Sequence, residues 1–331
     1  GRSAAARFAG TLPFLLKILA AERPLSIQAH PDLAQARGGF ARENAAGISL
    51  NNPIRNYRDE NHKPEILCAL TPFWALKGFR STGKILELID RMGVPELHAE
   101  GDCIRYDRHG DGLRIFVTRL LEMERGRQRN LVDRAALAAQ SKAGSDPLFD
   151  WIVRLSQIYA GDIGALSPIF LNLIRLEPGE AMYIESGTMH AYLSGTGIEL
   201  MANSDNVLRG GLTTKHIDLG ELFNILRFAD EMPIVVPATN ISAVESVYGT
   251  AAKEFVLSII RIGRDMPYIS KEKRSVEILI CTQGHSVICD AHGAVRLDFN
   301  QGKSVIVPAC VGSYRIEGQA TFYKASVPLE E

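Results

Sequence analysis

Ile169-Phe-Leu-Asn-Leu-Ile-Arg-Leu176, the turn Glu177-Pro-Gly179, Ala181-Met-Tyr-Ile184 and Glu185-Ser-Gly-Thr-Met-His190 run almost end to end. Short apolar runs closed by a Pro-Gly turn are the pattern of strands joined by tight connections. A weaker copy lies near the C-terminus, where Gly302, Ser304-Val-Ile-Val-Pro308 and Ala309-Cys-Val-Gly312 repeat the spacing of glycine, strand and second turn. A β-architecture used twice is the reading that accounts for both.

Outward from this stretch, the pattern divides the chain. From about Leu12 to Arg80, short apolar runs alternate with loops rich in Asn, Pro and Gly, which predicts strands joined by turns. Between about Thr82 and Gly164, Ile85–Ile89, Leu113–Leu121, Leu131–Ala139 and Phe149–Ile158 carry apolar residues at helical spacing, which predicts a helical insert. Strand-like runs return after Phe255: Val276–Cys281, Ser286–Cys289, Val295–Phe299 and Ser304–Pro308, punctuated by Gly284, Gly293 and Gly302. Even spacing of this kind predicts an antiparallel sandwich or barrel.

With 331 residues, 46% of them hydrophobic, the chain can bury a large core in two or three domains. Its 37 basic residues nearly balance its 38 acidic ones, so no global field recruits nucleic acid or an anionic membrane. No apolar run reaches the roughly 18 residues of a membrane span, and no signal-peptide core is evident. The five cysteines are scattered, without a Cys-x-x-Cys pair, and are expected to be free thiols in a reducing cytoplasm. The start at Gly1, followed almost at once by Leu12–Leu19, reads as a beginning cut from something longer.

Four side chains suggest one metal: Gln28 and His30 in Ser26-Ile-Gln-Ala-His-Pro-Asp32, Glu65 in Asn61-His-Lys-Pro-Glu65, and His190. On an extended strand, two-residue spacing points Gln28 and His30 at one face. Two imidazoles, a carboxylate and an amide oxygen form a borderline set that suits zinc and would also accept manganese, iron or cobalt. Each residue alone has a commoner structural use; it is the combination that points to a metal. His62, His98, His109, His216, His285 and His292 lack such support and are taken as structural. A second polar cluster follows His190: Glu199, Asn203, Asp205, Asn206 and Arg209, with Gly210-Gly211 freeing the backbone. Arg209 there can offer a planar fork to an anionic oxygen.

The stretch around His190 and its later copy both resemble the second cupin motif; the first keeps the His but has Glu185 at the Pro position, and the second keeps Pro308 without the His. Taken in order, Ser26–Asp32, Asn61–Glu65, His190-Ala-Tyr192 and Met201–Arg209 resemble type I phosphomannose isomerases. The likeness runs through motifs from Leu12 to about Asp218. It implies a mainly β fold with an α insert: two cupin-type jelly rolls plus a helical domain. The implied division is a metal-binding roll over 1–81 and 165–240, the insert over 82–164, and a metal-free roll over 241–331.

It also implies one zinc per chain on Gln28, His30, Glu65 and His190, and the interconversion of mannose 6-phosphate and fructose 6-phosphate. The family's active-site positions fall on Lys17, Ser26, Lys63, Tyr192, Glu199, Asp205, Arg209 and Lys215. Moving a proton between C2 and C1 through a cis-enediol requires a base, a route for hydroxyl protons and positive charge where the oxyanion develops. Zinc and Arg209 are expected to stabilise the enediolate, and Lys63, Glu199 or Asp205 to move protons beside Tyr192. Lys17, Ser26 and Lys215 are expected to hold phosphate or sugar oxygens. The implied partner is a small sugar phosphate, with no nucleic acid and no membrane, and the chain acts as a monomer or weak homo-oligomer. The family carries a further stretch before Leu12, with a Trp-Gly segment, that this sequence does not show. The rival readings are a non-catalytic cupin that senses a sugar phosphate and an iron cupin oxygenase; the proton-transfer set speaks against the first and the amide ligand against the second.

Overall fold

The computed structural model describes residues 6, 8–290, 292–293 and 295–329. Its first β system comprises β1 (Phe14–Ala21), β2 (Ile27–Ala29), β3 (Glu65–Ala69), β4 (Phe73–Phe79), β5 (Leu171–Leu176), β6 (Ala181–Ile184), β7 (His190–Ala202) and β8 (Leu208–Gly211), paired antiparallel. β7 organises it. Its first residues pair with β4 on one side and at His190 with β2 on the other, while its second half runs between β1 and β3. One strand therefore serves both sheets and must bend between them. The bend falls at Gly195, whose φ is +129°, a value that side-chain-bearing residues rarely adopt.

Period-two alternation along these strands sorts the side chains into three environments. Leu67, Ala69, Phe73, Ala75 and Tyr192 point into the roll. Ala191 and Leu193 face the helical layer with Phe116, Phe149 and Phe170. Ile66, Cys68, Ile198 and Leu200 meet Tyr248, Phe255, Leu257 and Tyr323 of the C-terminal half. Full burial of one such aliphatic or aromatic side chain contributes about 1.5–3 kcal/mol, so this last cluster joins the two halves by more than a linker.

The helical layer follows β4. It contains α2 (Thr82–Met92), α3 (Pro95–Arg105), α4 (Gly112–Glu122), α5 (Arg125–Gln140), α6 (Pro147–Ile158) and the single turn α7 (Ser167–Phe170), and a short helix α8 (Leu219–Ile225) comes after β8. One earlier helix, α1 (Leu33–Ala45), stands where only strands and turns were expected. Its apolar stripe is thin, since only Ala36 and Gly39 are buried. What starts it is a capping box: Asp32 accepts from the Gln35 backbone and Gln35 returns a bond to the Asp32 N–H, both at 2.8 Å. α3 falls inside the expected helical insert without a periodic run of its own; it opens on Pro95 at its first turn, a position that uses no backbone donor.

The C-terminal half forms the second β system: β9 (Ala238–Asn240), β10 (Glu245–Tyr248), β11 (Val256–Ile262), β12 (Tyr268–Ile269), β13 (Glu277–Asp290), β14 (Arg296–Asp298), β15 (Ser304–Val307) and β16 (Tyr314–Ser326). The two runs expected on either side of Gly284 are one strand, β13, paired with β16 along its whole length. Gly284 within β13 and Gly318 within β16, two pairs apart along that ladder, have φ of +87° and +127°. A Cβ at Gly284 would come within 2.1 Å of the Gln319 carbonyl oxygen. Glycine here bends a continuous strand instead of ending it. Likewise Ile169 and Phe170, expected to open a strand, close the α7 turn. No helix among the described residues is long and apolar enough to cross a membrane.

Candidate metal centre and active site

Glu65 opens β3 facing into the first roll, on the same face as Leu67 and Ala69, and β7 brings in His190 and Tyr192 from the opposite wall. β2 lies between β7 and β8, with Gln28 directly opposite both His190 and Arg209. Directly opposed residues in antiparallel strands share a face, so Gln28, His190 and Arg209 project together. The two-residue spacing adds His30 to that face, with Ser26, half-buried, at its start.

The ligand atoms of His30, Glu65 and His190 all lie within 4.8 Å of one another, and all three residues are buried. Nε2 of His30 is 3.2 Å from Oε1 of Glu65, and Nε2 of His190 is 3.7 Å from Oε2. The amide nitrogen of Gln28 lies 3.3 Å from Nε2 of His190 and donates to it, so ligation through the amide oxygen requires the amide to turn over. Each imidazole has its other nitrogen committed. Nδ1 of His30 donates to the Asn206 carbonyl at 2.7 Å, and Nδ1 of His190 donates to the Thr188 carbonyl at 3.0 Å. That fixes the tautomer and leaves both Nε2 lone pairs aimed at Glu65, the outer-shell arrangement of metal-bound histidines. Nε2 of His30 is buried with no hydrogen-bond partner among the described residues. A buried acceptor without a donor costs about 1–3 kcal/mol, and a metal ion would satisfy it.

Burial disfavours charge on Glu65, but His30, Lys63 and His190 outweigh it and hold the carboxyl well below its usual range. Burial, aided by His30, pushes His190 down to about 4. At neutral pH the set therefore presents a carboxylate and a neutral His190 imidazole, the forms that bind a divalent ion.

Around this centre, Lys63 Nζ stands 3.6 Å from Glu65 Oε1, and the Tyr192 hydroxyl donates to Glu65 Oε2 at 3.1 Å. Tyr192 also contacts Glu199, and burial beside the two carboxylates raises its hydroxyl far above the usual range. Glu199 is almost fully buried; burial and the neighbouring Glu65 push it up to about 7, against the pull of Lys17. Lys17 lies opposite Glu199 in the β1–β7 register and closes an ion pair at 2.6 Å. Burial and the nearby Arg58 lower the pKa of Arg209.

Two expected residues stand apart. Asp205 is exposed, and its carboxylate has no hydrogen-bond or ion-pair partner among the described residues; its N–H donates to Asp59. Lys215 is exposed and lines a separate cavity of about 650 Å³ with Arg125, Arg129 and His216. Neither touches the metal cluster.

Two contributors take roles the sequence did not assign: Asn206 stood only as a member of the polar cluster after His190, and Arg58 was not singled out. Asn206 is fully buried: besides holding His30, its side chain takes the N–H groups of Arg58 and Asp59 and donates to the Asp59 and Asn61 carbonyls. It ties the loop before Glu65 to the strand pair carrying His30. Arg58 adds the second positive charge beside Arg209. Both contacts span well over a hundred residues, and no local spacing signals them.

A family model, phosphomannose isomerase type I, catalytic domain, matches residues 1–82. The mannose-6-phosphate isomerases of Shigella flexneri and Escherichia coli (strain K12) are each 36% identical to this chain, covering 96% of it and 79% of themselves. The Homo sapiens enzyme is 39% identical over 238 residues, covering 67% of this chain and 53% of itself. A crystal structure of a zinc-bound mannose 6-phosphate isomerase superposes with a TM-score of 0.89 at 33% identity, covering 99% of this chain and 82% of that one. The apo form from Salmonella typhimurium gives a TM-score of 0.89 at 34% identity with the same coverage.

Proposed function

This chain belongs to the mannose-6-phosphate isomerase family, and from that premise we propose how its residues divide the work. The reaction is the zinc-dependent interconversion of D-mannose 6-phosphate and D-fructose 6-phosphate through a cis-enediol(ate). Gln28, His30, Glu65 and His190 hold the zinc. When bound, that ion supplies a Lewis acid that polarises a sugar oxygen. The observation that carries the assignment is the buried His30, Glu65 and His190 cluster, with both Nδ1 atoms committed to carbonyls and Nε2 of His30 unpartnered.

The remaining roles follow from charge and reach. A carboxyl poised near 7 can take and return a proton at neutral pH, which makes Glu199 the best-placed acid–base group. Lys17 restrains its charge, and Tyr192 links it to Glu65. Arg209, on the face it shares with Gln28, meets the negative charge that grows on the enediolate oxygens, with Arg58 adding to the local field. Lys63 sits close enough to Glu65 to relay a hydroxyl proton. Ser26 contacts the sugar at the start of the β2 face, and Asp205 stands at the rim. Lys215, although it lines a separate cavity with Arg125 and Arg129, is the proposed charge for the phosphate, the end of the substrate away from the metal.

A sugar-phosphate substrate and free thiols fit the cytoplasm, and the insert shapes one side of the pocket. The test is turnover of Arg209→Ala and Arg209→Lys, followed as fructose 6-phosphate formed. Removing a preorganised charge donor costs about 10²–10³ in kcat, so the alanine variant should fall by that factor and the lysine variant by less. Near wild-type turnover in Arg209→Ala would sink the assignment.

A further inference from the structure

We propose that the C-terminal jelly roll holds a second binding site, for a small anion bearing a carboxylate or a phosphate, in the place that corresponds to the metal centre of the first roll. The correspondence is one of register. Gly179 and Gly302, both at positive φ, each stand two residues before the strand that follows, β6 and β15. Five residues beyond each glycine, Ile184 pairs with Glu65 and Val307 pairs with Glu277. On the central strands, Glu199 lies between Lys17 and Leu67, and Lys324 lies between Ser258 and Leu279. Glu277 therefore takes the place of Glu65, Lys324 that of Glu199, and Ser258 that of Lys17. The tyrosine is reproduced as well: the Tyr314 hydroxyl donates to Glu277 Oε2 at 2.8 Å, as Tyr192 does to Glu65.

What fills these places is different. Ser313 stands eleven residues after Gly302, where the first roll has His190, and no histidine joins the cluster. Lys324 Nζ is buried against Glu245 Oε1 at 2.7 Å, the Tyr268 hydroxyl at 2.9 Å and Glu277 Oε1 at 3.3 Å. Arg274 lies 3.7 Å from the other Glu277 oxygen. Its guanidinium binds backbone carbonyls, including those of Val307 and Gly312, while its buried Nε has no partner among the described residues. Ser258 is buried.

A cavity of about 210 Å³ is lined by Ser258, Lys324, Glu245, Glu277 and Arg274, with Lys271 and Lys273 on its wall. Four cations thus face two carboxylates, and Lys324 already answers both. The surplus is positive, which excludes a metal cation and fits an anion. The volume lies below the roughly 300–1,000 Å³ of drug-sized pockets, so the occupant is a small metabolite anion. Folding alone does not require these charges, because apolar residues of similar volume usually serve a core as well or better.

The test is calorimetric titration of the full, zinc-loaded chain with malonate and, separately, with inorganic phosphate. Wild type is compared with Lys271→Ala/Lys273→Ala, both exposed positions, and with Ser258→Val. We expect one-to-one binding of at least one anion that weakens tenfold or more in each variant, while kcat/KM for mannose 6-phosphate stays unchanged. Malonate alone would identify a carboxylate ligand, phosphate alone a phosphate ligand, and both a site selective for charge only. Equal affinity in wild type and variants would place the anion at the active site or on the surface and overturn the proposal. Absence of binding by either anion would also overturn it.

Discussion

Asn206 shows how much of the candidate metal centre depends on a residue outside the proposed ligand set. Its backbone carbonyl fixes Nδ1 of His30, and its amide binds the 58–61 loop. Loss of an outer-shell partner of this kind weakens metal binding about 10–100-fold. Asn206→Ala keeps that carbonyl but removes the amide bonds that hold it in place against the 58–61 loop, so the variant should lose zinc to a competing chelator at lower chelator concentration, with the β content of its circular dichroism retained. Glu199 makes a prediction about pH. Its carboxyl titrates near 7 in the fold, above the ordinary value of 4.5, because burial and Glu65 oppose its charge. The folded state then binds more proton than the unfolded chain, so this stabilisation is full below about 4.5 and is lost as pH rises through 7. His190 has the opposite sign, its stabilisation fading as pH falls from 6.5 toward 4. The difference in unfolding free energy between zinc-free wild type and Glu199→Gln isolates the first effect: it should shift in favour of the glutamine variant as pH rises from 5 to 8, by on the order of 1–3 kcal/mol. A difference independent of pH would contradict this.

At the scale of the element, β7 carries the site because it bends. Its first half supplies His190 and Tyr192, its second half supplies Glu199, and Gly195 lies between. A Cβ at Gly195 would meet Cδ2 of Phe73 at 2.7 Å and the Pro72 carbonyl oxygen at 2.8 Å, in a φ region disfavoured for L-residues. Gly195→Ala should destabilise the fold by about 1–3 kcal/mol, read as a lower urea midpoint, with a larger loss for Gly195→Val. The elements were legible where periodicity was strong. The pair Gln28 and His30 followed from a period of two, and α2, α4, α5 and α6 from a period near 3.6. α1 was missed because its start is written in the Asp32–Gln35 cap and its faces lack apolar contrast. β13 was split because Gly284 looks in sequence like an end, while its left-handed φ bends a strand whose pairing continues. Arg58, and the tethering role of Asn206, were illegible for another reason: both exist only once distant segments meet.

Across the whole molecule, the helical layer covers one face of the first roll, and the second roll covers another through Phe255, Leu257 and Tyr323. The buried His30, Glu65 and His190 cluster proposed as the metal site is held inside a scaffold fixed on both sides, which is what a site needs if its ligands are to stay preorganised. A cavity of about 770 Å³ lies elsewhere, walled by Lys77, Met189 and Arg227 of the first half and Gly249 of the second, and none of the assigned site residues lines it. Chemistry, rather than cavity size, locates the active centre. The measurement that tests this most directly is isomerase turnover of mannose 6-phosphate to fructose 6-phosphate on one sample as prepared with zinc, after chelation, and after zinc is added back. The account predicts loss on chelation and recovery on addition, with Glu65→Gln inactive in all three states. Turnover that survives complete removal of zinc from the folded chain would contradict it.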